Sequence, residues 1–379
     1  MILAILAQSY LFDETASING TLVQLYNLSK GFEKAGIEVH YVCTTKDASK
    51  PKHQKLEGIH FHWIQLQVGF FEWKRVMPLY TICLNEIKPD AVYVRGRNVM
   101  QYVAGKYASE NNKIFVWGTN GDDSAEFWKN VKRLKNSNKS ILRKIFLYFL
   151  KAYEDVYINR GMKMTNFIVN QSLQQQKATK ENLNKKGIIL PSYFLPVKNK
   201  TSKDNIILWL ATLSLNKQPH LFIELFHDLE VHNWKGVLGG GTSNINYQLE
   251  IKNTIQSLPI KMIGEIPFQE SFNYYQAARI YVNTSKPKAD GLPNAYIQSW
   301  LSGAVVLSLH HDPNYWMEKY QIGFCANGDL NKLRDKLQEL INDDEQCKMM
   351  SNNAKIFAEQ QFSNSSIINK YIALFEGKE

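Results

Sequence analysis

The sequence predicts an α/β protein of two domains, each a parallel sheet wrapped by helices. Three observations carry this reading. Short apolar runs alternate with helical patterns along nearly the whole chain. The alternation breaks once, over a Pro- and Lys-containing stretch, and then restarts. The chain also has 379 residues, 44% of them hydrophobic, too many for one ordinary core and ample for two.

In the first half the expected strands are Ile2–Ala7, Glu38–Thr44, Ile59–Leu66, Ala91–Gly96, Lys113–Gly118 and Asn166–Gln171. Between the first two, Leu22, Leu25, Leu28 and Phe32 recur at three- and four-residue steps, so a helix lies there, with Gly36 as its C-terminal stop. Strand, helix, strand in rotation argues for a parallel sheet covered on both faces. The stretch "LPSYFLPVKNKTSKDN" has little periodicity and reads as a linker, placed at 191–204. The second rotation has strands at Ile206–Thr212, Lys235–Gly240, Ile260–Glu265, Ala278–Ser285 and Ala304–Leu309. The last thirty or so residues read as helical. The expected division is therefore 1–190 and 205–357, with 358–379 returning to the first domain. Ligands of such sheets sit at the carboxyl ends of the strands.

Charge is unevenly placed. Residues 1–190 carry 27 Lys and Arg against 16 Asp and Glu, and the rest carry 18 against 19. Any attraction of anions by bulk charge belongs to the first half. The four cysteines are not at metal-ligand or CxxC spacing and read as thiols of a reducing compartment. The first residues lack a basic segment before their seven apolar positions, and no apolar run of about 18 residues occurs, so a cytoplasmic location is expected.

Four stretches carry chemistry. In "KADGLPNAYIQSWLSG", Asp290 and Gly291 follow a strand and Pro293 suits a first helical turn. Free N–H groups at a helix start favour an anion such as a phosphate. An acid beside an anion site is repelled unless it serves something else, such as a sugar hydroxyl. Gln298 lies roughly 8 Å along the helix, so the pair could bracket an extended ligand. A helix capped by Asp290, with Gln298 on a solvated face, explains the same pattern. In "WLATLSLNKQPH", Lys217 stands at a helix start, where it could neutralise a phosphate or simply face solvent. In "GVLGGGTSN", three glycines between strand and helix, Gly240 among them, permit close approach, but this is not a full GxGxxG. In "ASINGTLVQLYNLS", Gly20 opens the first helix.

Together, in this order, these stretches resemble glycosyltransferase family 4, the group 1 retaining glycosyltransferases of GT-B fold. "DGLPNAYIQSWLSGAVVLS" is similar to the family's E-G-x-P-N region, and "ILWLATLSLNKQPHLFIELFHDL" resembles its diphosphate-holding strand, loop and helix. The resemblance implies two Rossmann-like domains facing a central cleft, with the C-terminal helix packing back on the first. It implies Asp290 at the donor-sugar hydroxyls and Lys217 at the diphosphate. Gly291, Leu292, Pro293 and Asn294 would shape the sugar and phosphate turn, and Gln298 would face the ribose. Ile266 would lie near the nucleobase, Gly20 would let the N-terminal loop approach the reaction centre, and Gly240 would belong to the donor side. Three departures stand out. The family's two glutamates are Asp290 and Gln298 here, and the arginine that usually precedes the lysine falls at Thr212. On the acceptor side the sequence offers Arg95, Asn120 and Asp122, without a histidine between His62 and His220.

The implied activity is retaining transfer of a sugar from a nucleotide-diphosphate sugar, with no metal required. The acceptor would be a hydroxyl of a lipid-linked or glycan intermediate of surface polysaccharide. A weak or inactive homologue acting as a regulatory partner is the alternative that Thr212 raises. A nucleotide-sugar epimerase and a two-lobed solute-binding protein are further readings of the same two-domain pattern. The segment Phe127 to Tyr153 has eight Lys and Arg, no acid and interleaved aromatics. It suits an anionic membrane surface, or a basic helix pair packed on the sheet. No nucleic-acid motif accompanies it.

Overall fold

A computed structural model describes residues 1–15, 19–66, 69, 71–137, 139–197, 202–242, 244–287 and 292–378. The chain divides into two compact units, residues 1–195 with 364–379, and residues 196–363.

The first unit runs β1 (Ile2–Leu6), α1 (Gly20–Lys34), β2 (Glu38–Thr45), β3 (His53–Leu56), β4 (Ile59–Gln65), α2 (Glu72–Ile87), β5 (Ala91–Arg95) and α3 (Met100–Asn111). It continues through β6 (Ile114–Gly118), α4 (Lys129–Lys135), α5 (Ile141–Lys163), β7 (Phe167–Asn170), α6 (Leu173–Leu183) and β8 (Ile188–Ile189). The eight strands lie in the order β3-β4-β2-β1-β5-β6-β7-β8. All neighbours are parallel except β3, which runs antiparallel to β4 at the edge. The central strands β1 and β5 are apolar on both faces except at Arg95 and buried except at Ile2, as a parallel sheet covered by helices requires. Two strands, β3 and β8, were not expected. The first is a polar hairpin edge and the second has two residues, so neither shows an apolar run.

The second unit runs β9 (Ile206–Leu210), α7 (Pro219–Leu225), β10 (Lys235–Gly239), α8 (Ile245–Thr254), β11 (Ile260–Gly264), α9 (Phe268–Ala277) and β12 (Ile280–Asn283). Then come α10 (Asn294–Leu301), β13 (Val305–Ser308), α11 (Trp316–Lys319), β14 (Gly323–Cys325), α12 (Leu330–Asn342) and α13 (Asp344–Phe362). Its six strands are parallel, in the order β11-β10-β9-β12-β13-β14. The short β14 has no counterpart among the expected strands, and β12 ends earlier than expected because Thr284 bonds the neighbouring loop and the Ser285 N–H turns back to Asn283 Oδ1.

The chain then returns to the first unit as α14 (Ser365–Phe375). Ile367, Tyr371, Leu374 and Phe375 of α14 bury themselves against Phe32 and Tyr93. At Gly31 a Cβ would sit 2.6 Å from Ile368 and 2.7 Å from Tyr193, so only glycine lets α1 lie this close to them. Tyr193 belongs to the stretch expected to be linker. With Leu190 and Phe194 it packs into the first unit instead, and the Leu195 N–H donates to Asn27 Oδ1 at 3.0 Å. Aromatic side chains, invisible to a search for periodicity, anchor it. Among the described residues no helix is long and apolar enough to cross a membrane.

Candidate functional site

Each sheet reverses its strand order once. In the second unit the chain winds outward from β9 through β10 and β11, then returns to add β12 beside β9. The loops leaving β9 and β12 therefore emerge side by side at their carboxyl ends, the place where open α/β sheets bind ligands.

The β9 loop brings Thr212 and Lys217, and the β12 loop leads to α10. They are stitched together. Thr284 Oγ1 accepts from the Trp209 indole at 2.9 Å and lies 2.9 and 2.8 Å from the Lys217 and Gln218 carbonyls, to which it donates. The Lys286 N–H donates to the Asn216 carbonyl at 2.9 Å. The backbone carrying Lys217 is thus fixed by the residues that directly follow β12. Thr284, absent from the sequence reading, supplies that fixing, and no local motif announces it. Asp290 and Gly291 lie outside the described residues.

At α10 the helix starts one residue later than the proline suggested. Pro293 is the N-cap, in extended backbone (φ −67°, ψ 129°), and its own side chain makes no capping bond. Leu292, Pro293 and Asn294 are partly buried around this start. One turn on, Gln298 is 5% exposed, and its Nε2 has no partner among the described residues. It is not on a solvated face. The helix is held by Tyr296, whose hydroxyl donates to Ser308 Oγ at 2.7 Å, and by Trp300, whose indole donates to the Ile322 carbonyl at 3.1 Å.

The glycine loop after β10 closes against the β9 loop. Leu213 N–H donates to the Gly241 carbonyl at 2.9 Å, and Gly240 N–H to the Gly264 carbonyl at 2.7 Å. Gly240 has φ +147°, and a Cβ there would lie 1.7 Å from the Ala211 carbonyl oxygen. The close approach that its sequence context suggested is made by the protein's own backbone. Thr212 is exposed, and Ile266 is partly buried just before α9, beyond the end of β11.

In the first unit the order reverses between β1 and β5. Gly20 opens α1 there, but the Asn19 side chain accepts from the N–H groups of Thr21 at 3.1 Å and Leu22 at 3.2 Å. Asn120 donates to Thr21 Oγ1 at 2.9 Å, joining the β6 loop to the start of α1. Asp122 is partly buried beside it. Its neighbour Asp123 is taken by Lys129 at 2.5 Å and Arg133 at 3.3 Å; burial pushes this carboxyl up, but the two cations outweigh it and hold it below the usual range. Arg95, offered for the acceptor side, is buried. It is 2% exposed, donating to Gln24 Oε1 at 2.5 Å and to the Tyr93 hydroxyl at 3.0 Å. A cavity of about 320 Å³ does open at the carboxyl ends of β1, β2 and β4, lined among others by Gln8, Thr44, Lys46, Glu72, Trp73 and Met100. No spacing in the sequence joins these residues, because they come from separate strands and helices.

Residues 194–357 match the family of glycosyl transferases group 1. No curated protein matches the chain in sequence. Solved structures share the fold over the whole chain. HepE from Anabaena, in complex with UDP and glucose, is 16% identical, with 100% of this chain and 99% of that one covered and a TM-score of 0.69. Sucrose-phosphate synthase from Thermosynechococcus elongatus is 13% identical, with 99% and 98% covered and a TM-score of 0.70. UDP-GlcNAc 2-epimerase from Methanocaldococcus jannaschii is 11% identical, with 100% of both chains covered and a TM-score of 0.61. The architecture is therefore GT-B, a fold that hosts both transferases and an epimerase. The group 1 match, confined to residues 194–357, marks the chain as an enzyme of glycosyltransferase type.

Proposed function

We propose that the chain is a retaining glycosyltransferase of the family 4 type, moving a sugar from a nucleotide-diphosphate sugar to a hydroxyl of a lipid-linked or glycan acceptor. One observation carries the reading: the bonds of Thr284 and Lys286 tie the Lys217 loop to the strand that leads into α10. A diphosphate seated there would meet a lysine and the positive end of the α10 dipole. Charge developing on the leaving group would be stabilised by both, which is where such a transfer gains most of its rate. Asp290 would accept from the sugar hydroxyls. Gln298 would donate its unpartnered Nε2 to the ribose, a buried amide being costly to leave unpaired. Thr212, facing solvent, leaves Lys217 as the loop's main countercharge and favours weaker donor binding than an Arg–Lys pair would give.

On the acceptor side the 320 Å³ cavity, with Trp73 for a sugar face and Glu72, Lys46 and Thr44 for hydroxyls, fits a glycan better than Arg95 does. Surface polysaccharide intermediates are the substrates we favour. The lipid-linked form is supported by α5, where Ile141, Leu142, Ile145, Phe146 and Phe149 are each more than half exposed among Lys139, Arg143 and Lys144. Equal pelleting of the protein with neutral and anionic vesicles would remove the membrane component. For the donor, thermal unfolding with UDP, GDP and dTDP is the test. The right nucleotide at 100 times its dissociation constant adds roughly 2.7 kcal/mol. No shift with any of them would sink the donor assignment.

A further inference from the structure

The second unit holds a different cavity at the opposite edge of its sheet, where strands begin. About 480 Å³ in volume, it is lined by Lys203 before β9, Arg279 before β12, Ser302 before β13, and Asp344, Lys348 and Asn352 of α13, among others. None of these residues belongs to the loops of the candidate donor site.

Two of them are unusual. Lys203 is partly buried, and its ammonium donates to the Ala278 carbonyl at 2.6 Å and reaches that of Gln276 at 3.4 Å. Among the described residues no carboxylate pairs with it. Burial, with nearby Arg279 adding to it against Cys347, pulls its pKa down to about 8, so it is still charged at neutral pH. Ser302 is 2% exposed, and its hydroxyl has no partner among the described residues. A buried hydroxyl without a partner costs free energy that an apolar residue would not. The carboxylate present is already used: Asp344 is shared by Arg279 and Lys348, and Lys348 also reaches Glu345 at 3.3 Å. The cavity is therefore walled by a cation that bonds carbonyls and no carboxylate, with a buried, unpartnered hydroxyl just behind the lining and Arg279, Lys348 and Lys355 also around it.

We propose that this cavity is a second ligand site, for a phosphate monoester of a small polar molecule. The phosphate would sit at Lys203 and Ser302, with Lys348 above it. The volume lies in the range of small-molecule sites, roughly 300–1,000 Å³, and exceeds what bare phosphate fills. Asn352 would meet a hydroxylated body. Because the lining joins α13 to the starts of three strands, occupancy would brace that helix against the sheet.

Calorimetric titration of the whole chain with inorganic phosphate and with glycerol phosphate tests this at neutral pH. Glycerol phosphate should bind more tightly than phosphate, and Lys203→Met should weaken both at least about tenfold. Ser302→Ala should weaken binding about tenfold while leaving the unliganded melting temperature unchanged or raised, since it removes a hydroxyl that has no partner. Should Lys203→Met fold poorly, Ser302→Ala carries the test alone. Lys217→Ala should keep the Lys203-dependent binding, which separates this site from the donor loop. No binding at millimolar concentration, or equal binding by wild type and both cavity variants, overturns the site. Weaker binding of glycerol phosphate than of phosphate overturns the monoester assignment.

Discussion

At the carboxyl ends of β1 and β5 the first unit closes its helix start with its own side chain, Asn19, and buries the arginine that ends β5 among Gln24 and Tyr93. At the carboxyl ends of β9 and β12 the second unit starts α10 on a proline, whose side chain cannot cap it, and carries Lys217 on a loop pinned through its backbone. The two sheets share a winding rule and the same reversal point. The difference teaches that topology supplies only a place for a site. What the place offers depends on which side chains the local sequence puts at the helix start and at the strand ends.

The largest effect expected from breaking the comparison is at Lys217. If the second reversal point is the donor site, Lys217→Ala should lower kcat/KM about 10²–10³-fold, the loss typical of removing one group that stabilises leaving-group charge. Nucleotide-sugar turnover measures it, and full activity in the variant would reject the assignment. Next comes Gly240→Ala. Its Cβ cannot coexist with the Ala211 carbonyl 1.7 Å away, so the β9 and β10 loops must part. A stability loss of about 2–4 kcal/mol is expected in urea unfolding, with donor affinity falling alongside. Unchanged stability would show that the glycine loop does not set the Lys217 loop.

The smallest effect concerns the first unit's edge and asks whether the two units differ in acid. There His53, His62 and His40 form a hydrogen-bonded chain that ends on Glu38, with separations of 2.9, 2.8 and 3.1 Å, and His60 stacks on His40. Burial first, then the neighbouring His40, His53 and His60, pushes His62 down to about 4. Its folded pKa is thus below the unfolded value near 6.5, so the unfolded chain binds the proton more readily between the two. The stability from neutral His62 is full above about pH 6.5 and is lost as pH falls towards about 4, by roughly 1–3 kcal/mol. Melting temperatures from pH 4.5 to 7.5 should show this slope in the wild type and a flatter one in His62→Gln. Identical slopes would remove the chain as an acid-sensitive element.

Much of the fold was legible because its causes are local. Continuous apolar runs made β1, β5 and β9 recognisable, and the Leu22–Leu25–Leu28–Phe32 stripe marked α1. The edge strands β3, β8 and β14 were not, since short or polar edges leave no period. The site divides in the same way. Lys217, Pro293 and Gln298 drew attention through motif and spacing. Arg95 was a candidate from its place at the end of a strand, and only the packing of Gln24 and Tyr93 around it shows that it is buried. Thr284 and the 320 Å³ cavity depend on partners dozens of residues away and leave no mark on any window of sequence.

The sequence by itself determined the alternation of strand and helix, the break between two halves and the residue types at the candidate donor loops. These follow from periodicity and backbone preference, which act over a few residues at a time. The tertiary structure alone decided which loops meet. Hydrogen bonding between β9 and β12 sets the Lys217 loop against the approach to α10, and packing put Arg95 in a core and Lys203 beside an unpartnered serine. Those outcomes rest on contacts between residues far apart in the chain, whose energies depend on burial and partners that exist only once the sheets have formed.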